Sequence, residues 1–186
     1  TGHSVFSATR PSSGTVTVDA RLSPGLHQVV VDRDSGPEPR RTRGGFWVKD
    51  PALLAAGPKL GVGRDWITKD GKAFPIVGTT YMASDAHRYF VFEPNPVAWD
   101  ADFDEMQKRG INFVRTGLWT AWSRVIGEHA STYVIDEGVL SAVEAFVETA
   151  ARHGIIVCFN LFAFLPPDFG AANPYLDPKA LEGQRA

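Results

Sequence analysis

Arg115 is the residue of this chain best suited to hold a negative charge in a fixed place. It ends the run Ile111-Asn112-Phe113-Val114-Arg115. A guanidinium at the carboxyl end of a strand can grip a carboxylate through two parallel hydrogen bonds, and one turned inward is costly unless paired. Side chains alternate along a strand, so Phe113 and Arg115 share one face and Val114 takes the other. Val114 suits a layer of helices, which leaves Arg115 for the opposite face. Asn160 holds the matching place after Val157-Cys158-Phe159. Its amide can bind a ligand hydroxyl or a carboxylate, or it can satisfy backbone groups at a strand end. Tyr81, Trp119, Trp122, Phe162 and Phe164 crowd the same expected strand ends. An aromatic-lined cleft with a few polar groups is an ordinary ligand site, suited to the apolar faces of pyranose rings. Each ring taken singly is better explained as packing beneath a long loop, and the site reading gains only for the group. Asp85, His87 and Arg88 form a polar cluster between them. An Asp-x-His pair can do acid/base work, and a loop hydrogen-bond network is the simpler expectation. Asp100, Asp102, Asp104 and Glu105 are expected in the first turns of a helix, where the dipole and water favour carboxylates, and form no site. No set of Cys, His or carboxylates has metal-ligand spacing, and neither a phosphate-binding loop nor a G-x-S-x-G elbow occurs. No cofactor or metal is expected.

The scaffold for these residues begins at Phe74, where the pattern becomes strand and helix in alternation. Phe74–Thr80, Ile111–Gly117 and Ile155–Leu161 read as strands. Asn95-Pro96 opens a helix to Arg109 with Trp99, Phe103 and Met106 on one face. Asp136 caps a second helix with Val139, Leu140, Val143, Phe146, Val147 and Ala150 inward. Asp177-Pro178 opens a third. Lys108-Arg109-Gly110-Ile111 echoes Arg152-His153-Gly154-Ile155: cations at the helix end, then a glycine free to take the left-handed cap, then an apolar strand. Strand–helix–strand units give a parallel sheet. The connections after the strands are long, on the side where barrel enzymes build sites.

Upstream, residues 1–48 read as β structure, the end of a β-sandwich module. Thr15–Ala20, Leu26–Asp32 and Gly45–Val48 are its strands, and Arg40, Arg41 and Arg43 fall in a solvated loop. Residues 49–73 form a connector rich in Pro and Gly. Its Gly61-Val62-Gly63 lacks the strand and third glycine of a dinucleotide fingerprint. Asp70-Gly71 predicts a hairpin with a type I′ turn.

The chain has 186 residues, enough for a proper core and short of the ~250 of a typical (β/α)₈ barrel. It begins with Thr, and the expectation is a piece of a longer polypeptide. A net charge of −2 gives no reason to expect nucleic acid or an anionic membrane as partner. No apolar run approaches the ~20 residues of a membrane span. The single Cys158 rules out an internal disulfide framework.

Three stretches, in order, resemble the opening of clan A glycoside hydrolases, the TIM-barrel β-galactosidases, cellulases and mannanases. They are Asp70-Gly71-Lys72-Ala73-Phe74-Pro75-Ile76-Val77-Gly78-Thr79-Thr80-Tyr81, Met106-Gln107-Lys108-Arg109-Gly110-Ile111-Asn112-Phe113-Val114-Arg115, and His153-Gly154-Ile155-Ile156-Val157. The resemblance covers roughly residues 65–186. It implies an α/β fold: an incomplete (β/α)₈ TIM barrel of about three units over residues 74–186. It implies a retaining mechanism on O-glycosidic bonds, with one carboxyl as acid/base and another as nucleophile. In the family those carboxylates follow later strands, and no Asn-Glu pair occurs here, so neither is assigned within this chain. The strand-two arginine carries over to Arg115, which would orient the nucleophile. Strand three often ends in His, and here Asn160 stands in that place. The expected partner is an oligo- or polysaccharide or a glycoside. The piece as given is expected to be inactive. The alternative is a non-catalytic carbohydrate-binding or scaffold protein on a degenerate barrel.

Overall fold

The computed structural model describes residues 6–9, 15–17, 21–33, 40–119, 136–161 and 178. Its centre is a parallel sheet in the order β6 (Gly78–Thr80), β7 (Phe113–Gly117), β8 (Ile156–Asn160). Thr80, Arg115 and Cys158 stand in one row, and Gly117 stands beside Asn160. Helix α2 (Pro96–Lys108) joins the first two strands and α3 (Glu137–Arg152) precedes the third. The sheet is open, and the coarse expectation of an α/β chain with parallel strands is what the structure contains.

Local chemistry starts and stops the helices where the sequence indicated. Asn95 accepts from the Ala98 N–H, and Asp136 from those of Gly138 and Val139. Both helices end in the same hydrogen-bond pattern. Gly110 N–H donates to Gln107 O and Ile111 N–H to Met106 O, and Gly154 N–H donates to Ala151 O and Ile155 N–H to Ala150 O. This is the two-bond left-handed cap, and it needs the positive φ of Gly110 (77°) and Gly154 (70°). Pro178 is helical, and the rest of the third expected helix lies outside the described residues.

The core lies between one sheet face and the two helices. Trp99, Phe103, Phe146 and Val114 are fully buried, with Tyr81 and Phe90 beside them. Phe146 is its hub, with ring centroids 4.9–5.5 Å from Phe90, Tyr81, Phe103 and Trp99. The inward face of α3 differs from the expected stripe. Leu140 is exposed, while Glu148 and Thr149 are fully buried. The helix is covered on two sides, by the sheet and by an N-terminal ribbon, so its buried arc is wider than one amphipathic stripe.

That ribbon pairs β1 (Gly25–Arg33) with β2 (Arg40–Val48) in antiparallel register. Arg40, Arg41 and Arg43 therefore lie in a strand and not in a loop. Cross-strand pairing accounts for it, since Arg41 sits opposite Asp32 and donates to both its oxygens at 2.6 and 2.9 Å. Thr15–Thr17 form no strand, and among the described residues only two strands make up this sheet. The ribbon is fastened to α3. The Trp47 indole N–H donates to Glu148, the Asp50 N–H reaches both Glu148 oxygens at 3.0 and 3.1 Å, and the Arg152 guanidinium lies 5.1 Å over the Trp47 ring.

The connector holds more structure than expected: α1 (Pro51–Ala55), capped by Asp50, and a small sheet of β3 (Leu60–Val62), β4 (Ile67–Lys69) and β5 (Lys72–Ala73). The Asp70-Gly71 turn has positive φ at both residues, 51° and 77°, as a type I′ turn requires. β6 is shorter than the expected Phe74–Thr80. Pro75 has no N–H to give a ladder, and the Asn112 side chain takes the place of backbone pairing there. Its oxygen accepts from Val77 N–H and its nitrogen donates to Pro75 O, each at 2.9 Å.

Candidate functional site

The alternation along β7 decides which side chains are available. Val114 and Thr116 are fully buried against the helix layer, while Arg115 is exposed on the other face. Cys158, its partner across the ladder, is exposed too. Arg115 is not loose. With the Asn160 amide oriented to satisfy both groups, its oxygen accepts from Arg115 Nη2 at 2.6 Å and Nε at 3.1 Å. The guanidinium carbon lies 5.4 Å from the Trp119 ring centroid, a cation–π distance. No carboxylate pairs with Arg115 among the described residues. The site is a fixed cation at the carboxyl end of a parallel strand, and among the described residues nothing accepts from its Nη1.

Gly117 makes this arrangement possible. A Cβ there would fall 2.7 Å from Asn160 Cβ and closer still to the Asn160 carbonyl oxygen. Only the missing side chain lets Asn160 lie across Gly117 and reach Arg115. The Leu118 N–H then donates to Asn160 O at 3.0 Å and extends the pairing past the strand. Sequence reasoning gave neither Gly117 nor Asn112 a role. The signal for Gly117 is its place two residues beyond Arg115, on the same face, opposite a side chain that must pack close.

Tyr81 does not join this site. Its position after Thr80 puts it on the face of Val114 and Thr116, because Thr80 is level with Arg115. Tyr81 N–H donates to Arg115 O at 2.9 Å, and Thr116 Oγ1 donates to Tyr81 O at 3.0 Å. Its ring is 1% exposed among Phe90, Phe103 and Phe146. Tyr81 OH donates to Asp102 Oδ2 at 2.9 Å. Burial first, then the Asp102 charge, pushes the phenol far above its usual range, so it stays neutral. The expected sugar-facing ring is a core residue with a satisfied hydroxyl.

Asp85 and His87 form no acid/base pair. Asp85 accepts from Ala86 N–H and from Asn95 Nδ2, both at 2.7 Å, and so ties the loop to the cap of α2. His87 is exposed, its N–H donates to Ala83 O at 3.0 Å, and its φ is 51°. A histidine tolerates this left-handed geometry better than most residues. The acidic run on α2 also resolves into pairs. Asp100 meets His153 at 2.8 Å, Asp102 serves Tyr81 and Ser84, and Asp104 and Glu105 pair with Lys108 and Arg109. The helix starts at Pro96, as expected, so Asp100 and Asp102 fall in its second turn and Asp104 and Glu105 in its third, where these partners hold them.

Trp122 and Phe162, like Phe164, lie outside the described residues. Trp119 is 8% exposed, with Arg115 near its ring. Among the described residues, no group of three or more His, Cys, Asp or Glu side chains is placed to hold a metal ion.

No family model and no curated protein matches this chain. Among solved structures, GH5_18 from Streptomyces cattleya in complex with GlcNAc is similar at 22% identity and a TM-score of 0.46, over 59% of this chain and 28% of that one. A variant of GH5_18 from Streptomyces cattleya, in complex with Manb1-4GlcNAc, is similar at 23% identity and a TM-score of 0.47, over 60% of this chain and 28% of that one. The chain thus spans under a third of the length of either. A likeness at this level leaves the chain's own side chains to carry a functional reading.

Proposed function

We propose that this chain is the opening part of a glycoside hydrolase barrel, in which Arg115 orients the nucleophilic carboxylate of a retaining enzyme. The observation that supports it is a preorganised cation without a counter-ion among the described residues. Arg115 stands on the helix-free face of a parallel strand, at the strand's carboxyl end. Asn160 and Trp119 hold it there. A solvated surface arginine would be expected to move freely with its head group in water, whereas Asn160 and Trp119 fix this one in place. Among the described residues no acceptor meets its Nη1 edge, which points the reading toward an acceptor supplied by other residues of the barrel. The sequence resemblance implies the same role for this position. On this reading residues 1–48 are the end of a β-sandwich module, residues 49–73 the connector, and residues 74–186 the first three β/α units. The substrate is an oligosaccharide, polysaccharide or glycoside.

In the full-length protein, Arg115→Ala should lower kcat on aryl glycosides by 100-fold or more, since orienting groups act chiefly in the transition state. The melting temperature should shift little, because Arg115 is exposed. Arg115→Lys should recover only a small part of the loss, lacking the planar fork. Unchanged turnover in Arg115→Ala would sink the proposal.

A further inference from the structure

Asn160 meets Arg115 on one particular edge. A guanidinium carries five N–H groups in a rigid plane, and two of its edges can each give a parallel pair of hydrogen bonds, one through Nε and Nη2, the other through Nη1 and Nη2. The Asn160 oxygen takes the first pair, at 3.1 and 2.6 Å. The second edge stays whole, since each Nη nitrogen carries two hydrogens. The acceptor is neutral, so the cation keeps its charge. Strand preference does not account for an asparagine here, because the residue is depleted in strands. Position and reach do. Arg115 stands level with Cys158, and Gly117 level with Asn160, so Asn160 is the diagonal neighbour of Arg115 on the same face. Gly117 leaves room for it, since a Cβ there would fall 2.7 Å from Asn160 Cβ. The other neighbours do not compete for the edge. The Cys158 thiol is a weak acceptor, and the Trp119 indole only donates.

We propose that Asn160 is a positioning residue: it occupies the Nε–Nη2 edge of Arg115 with an uncharged acceptor and reserves the Nη1–Nη2 edge, with the undiminished charge, for the nucleophilic carboxylate. This rests on the glycosidase reading above and adds to it the edge at which the two groups meet. A carboxylate in the place of Asn160 would have the same shape and would pair with the cation. Arg115 would then no longer attract a second carboxylate with its full charge. An alanine would leave the charge but free both edges, so that the nucleophile is no longer confined to one of them. Orientation at a reacting centre is worth large factors in rate. Charge and orientation are thus separable by two substitutions at one position.

The test uses the full-length protein on aryl glycosides, with kcat and KM measured across pH and the unfolding temperature of each variant taken alongside. Asn160→Ala is expected to lower kcat about tenfold and to change KM less than about twofold. In an Arg115→Ala background the same substitution should cost less than about twofold, because a residue that acts only through Arg115 has nothing left to act on. Asn160→Asp should lower kcat at least as far. It should also move the acidic limb of the kcat/KM profile up by about one pH unit, since the nucleophile must be ionised and a quenched cation favours that form less. Asn160→Ala leaves the cation unquenched, so its acidic limb should stay within about 0.3 unit of the wild type. Wild-type turnover in Asn160→Ala, a tenfold loss in both backgrounds, or an acidic limb that Asn160→Asp leaves in place would overturn this inference alone. The paired alanine substitutions decide by themselves if Asn160→Asp does not fold. Full turnover in Arg115→Ala would instead overturn the orienting role proposed for Arg115, and this inference with it.

Discussion

Replacing Glu148 by Ala should release the N-terminal ribbon from α3. The carboxylate is fully buried, and three donated contacts converge on it: the Trp47 indole N–H and the Asp50 N–H to both oxygens. Hydrogen bonds to a charged group contribute about 1.5–3 kcal/mol each, and a buried donor left without a partner costs about 1–3 kcal/mol. Two donors are orphaned in Glu148→Ala. Against this, the desolvation cost of a buried carboxylate disappears with it. Arg152 keeps its contacts with Pro24 O at 3.2 Å and Asp50 Oδ2 at 3.4 Å. The net expectation is a loss of about 2–4 kcal/mol, which for a chain of this size lowers Tm by roughly 5–15 °C. Glu148→Gln retains one oxygen and the shape, but its N–H₂ must face a donor, so about 1–2 kcal/mol should go. Urea unfolding followed by circular dichroism gives the series, with the order wild type, Gln, Ala. A double-mutant cycle with Trp47→Phe isolates the indole contact and should show a coupling of about 1–2 kcal/mol. If Glu148→Ala unfolds within 0.5 kcal/mol of the wild type, a range typical of neutral surface changes, the ribbon is not held by this carboxylate and the reasoning fails.

Gly117→Ala should cost about 1–3 kcal/mol by overpacking, because the new Cβ meets Asn160 backbone as well as side chain. It should also shift the Arg115 Nε–H resonance, and an unmoved resonance would mean Asn160 does not hold the guanidinium. Tyr81→Phe should change the response to alkali. The unfolded phenol ionises near its ordinary value of about 10, whereas burial and Asp102 keep the folded one neutral to higher pH. The Tyr81 contribution is therefore fully present below about pH 10 and is lost as pH rises beyond it, by up to about 1.4 kcal/mol per unit. The stability gap between wild type and Tyr81→Phe, measured by urea unfolding at pH 9 and pH 11, should shrink, and a constant gap would refute it.

What could be read from the sequence was local. Asn95 and Asp136 cap helices through atoms two or three residues away. Gly110, Gly154 and Asp70-Gly71 adopt positive φ because of what immediately surrounds them. What could not be read depends on distant partners or on register. Glu148 looks like a solvated residue on an amphipathic helix until Trp47, 101 residues upstream, is brought to it. Tyr81 looks like a strand-tip aromatic until the register places Thr80 level with Arg115 and turns the next side chain under the helices. Trp119 follows the same logic, since its sequence position says nothing about which group lies over its ring. The Arg115 face was legible because Val114 and Thr116 flank it, and a period of two needs no distant information.

Register is therefore the quantity that turns this sequence into a site, and the residues that pin it matter as much as those that display it. A one-residue slip of β7 would exchange its faces. Arg115 would then enter the aromatic core around Phe146, where burying the charge unpaired costs several kcal/mol. Val114 and Thr116 would face solvent. Three features oppose that slip from outside the strand. Gly110 ends α2 at a fixed residue. Asn112 bonds Pro75 and Val77 through its side chain, fixing β7 against the approach to β6. Gly154 repeats the first device ahead of β8. The backbone continues the work of Asn112, since its N–H donates to Val77 O and its carbonyl accepts from Ile156 N–H, both at 2.9 Å. One asparagine just before the strand thus touches both neighbours of β7. Arg115 can stand as an exposed cation beside Asn160 and Trp119 because Asn112, three residues earlier, helps fix the register that sets its face.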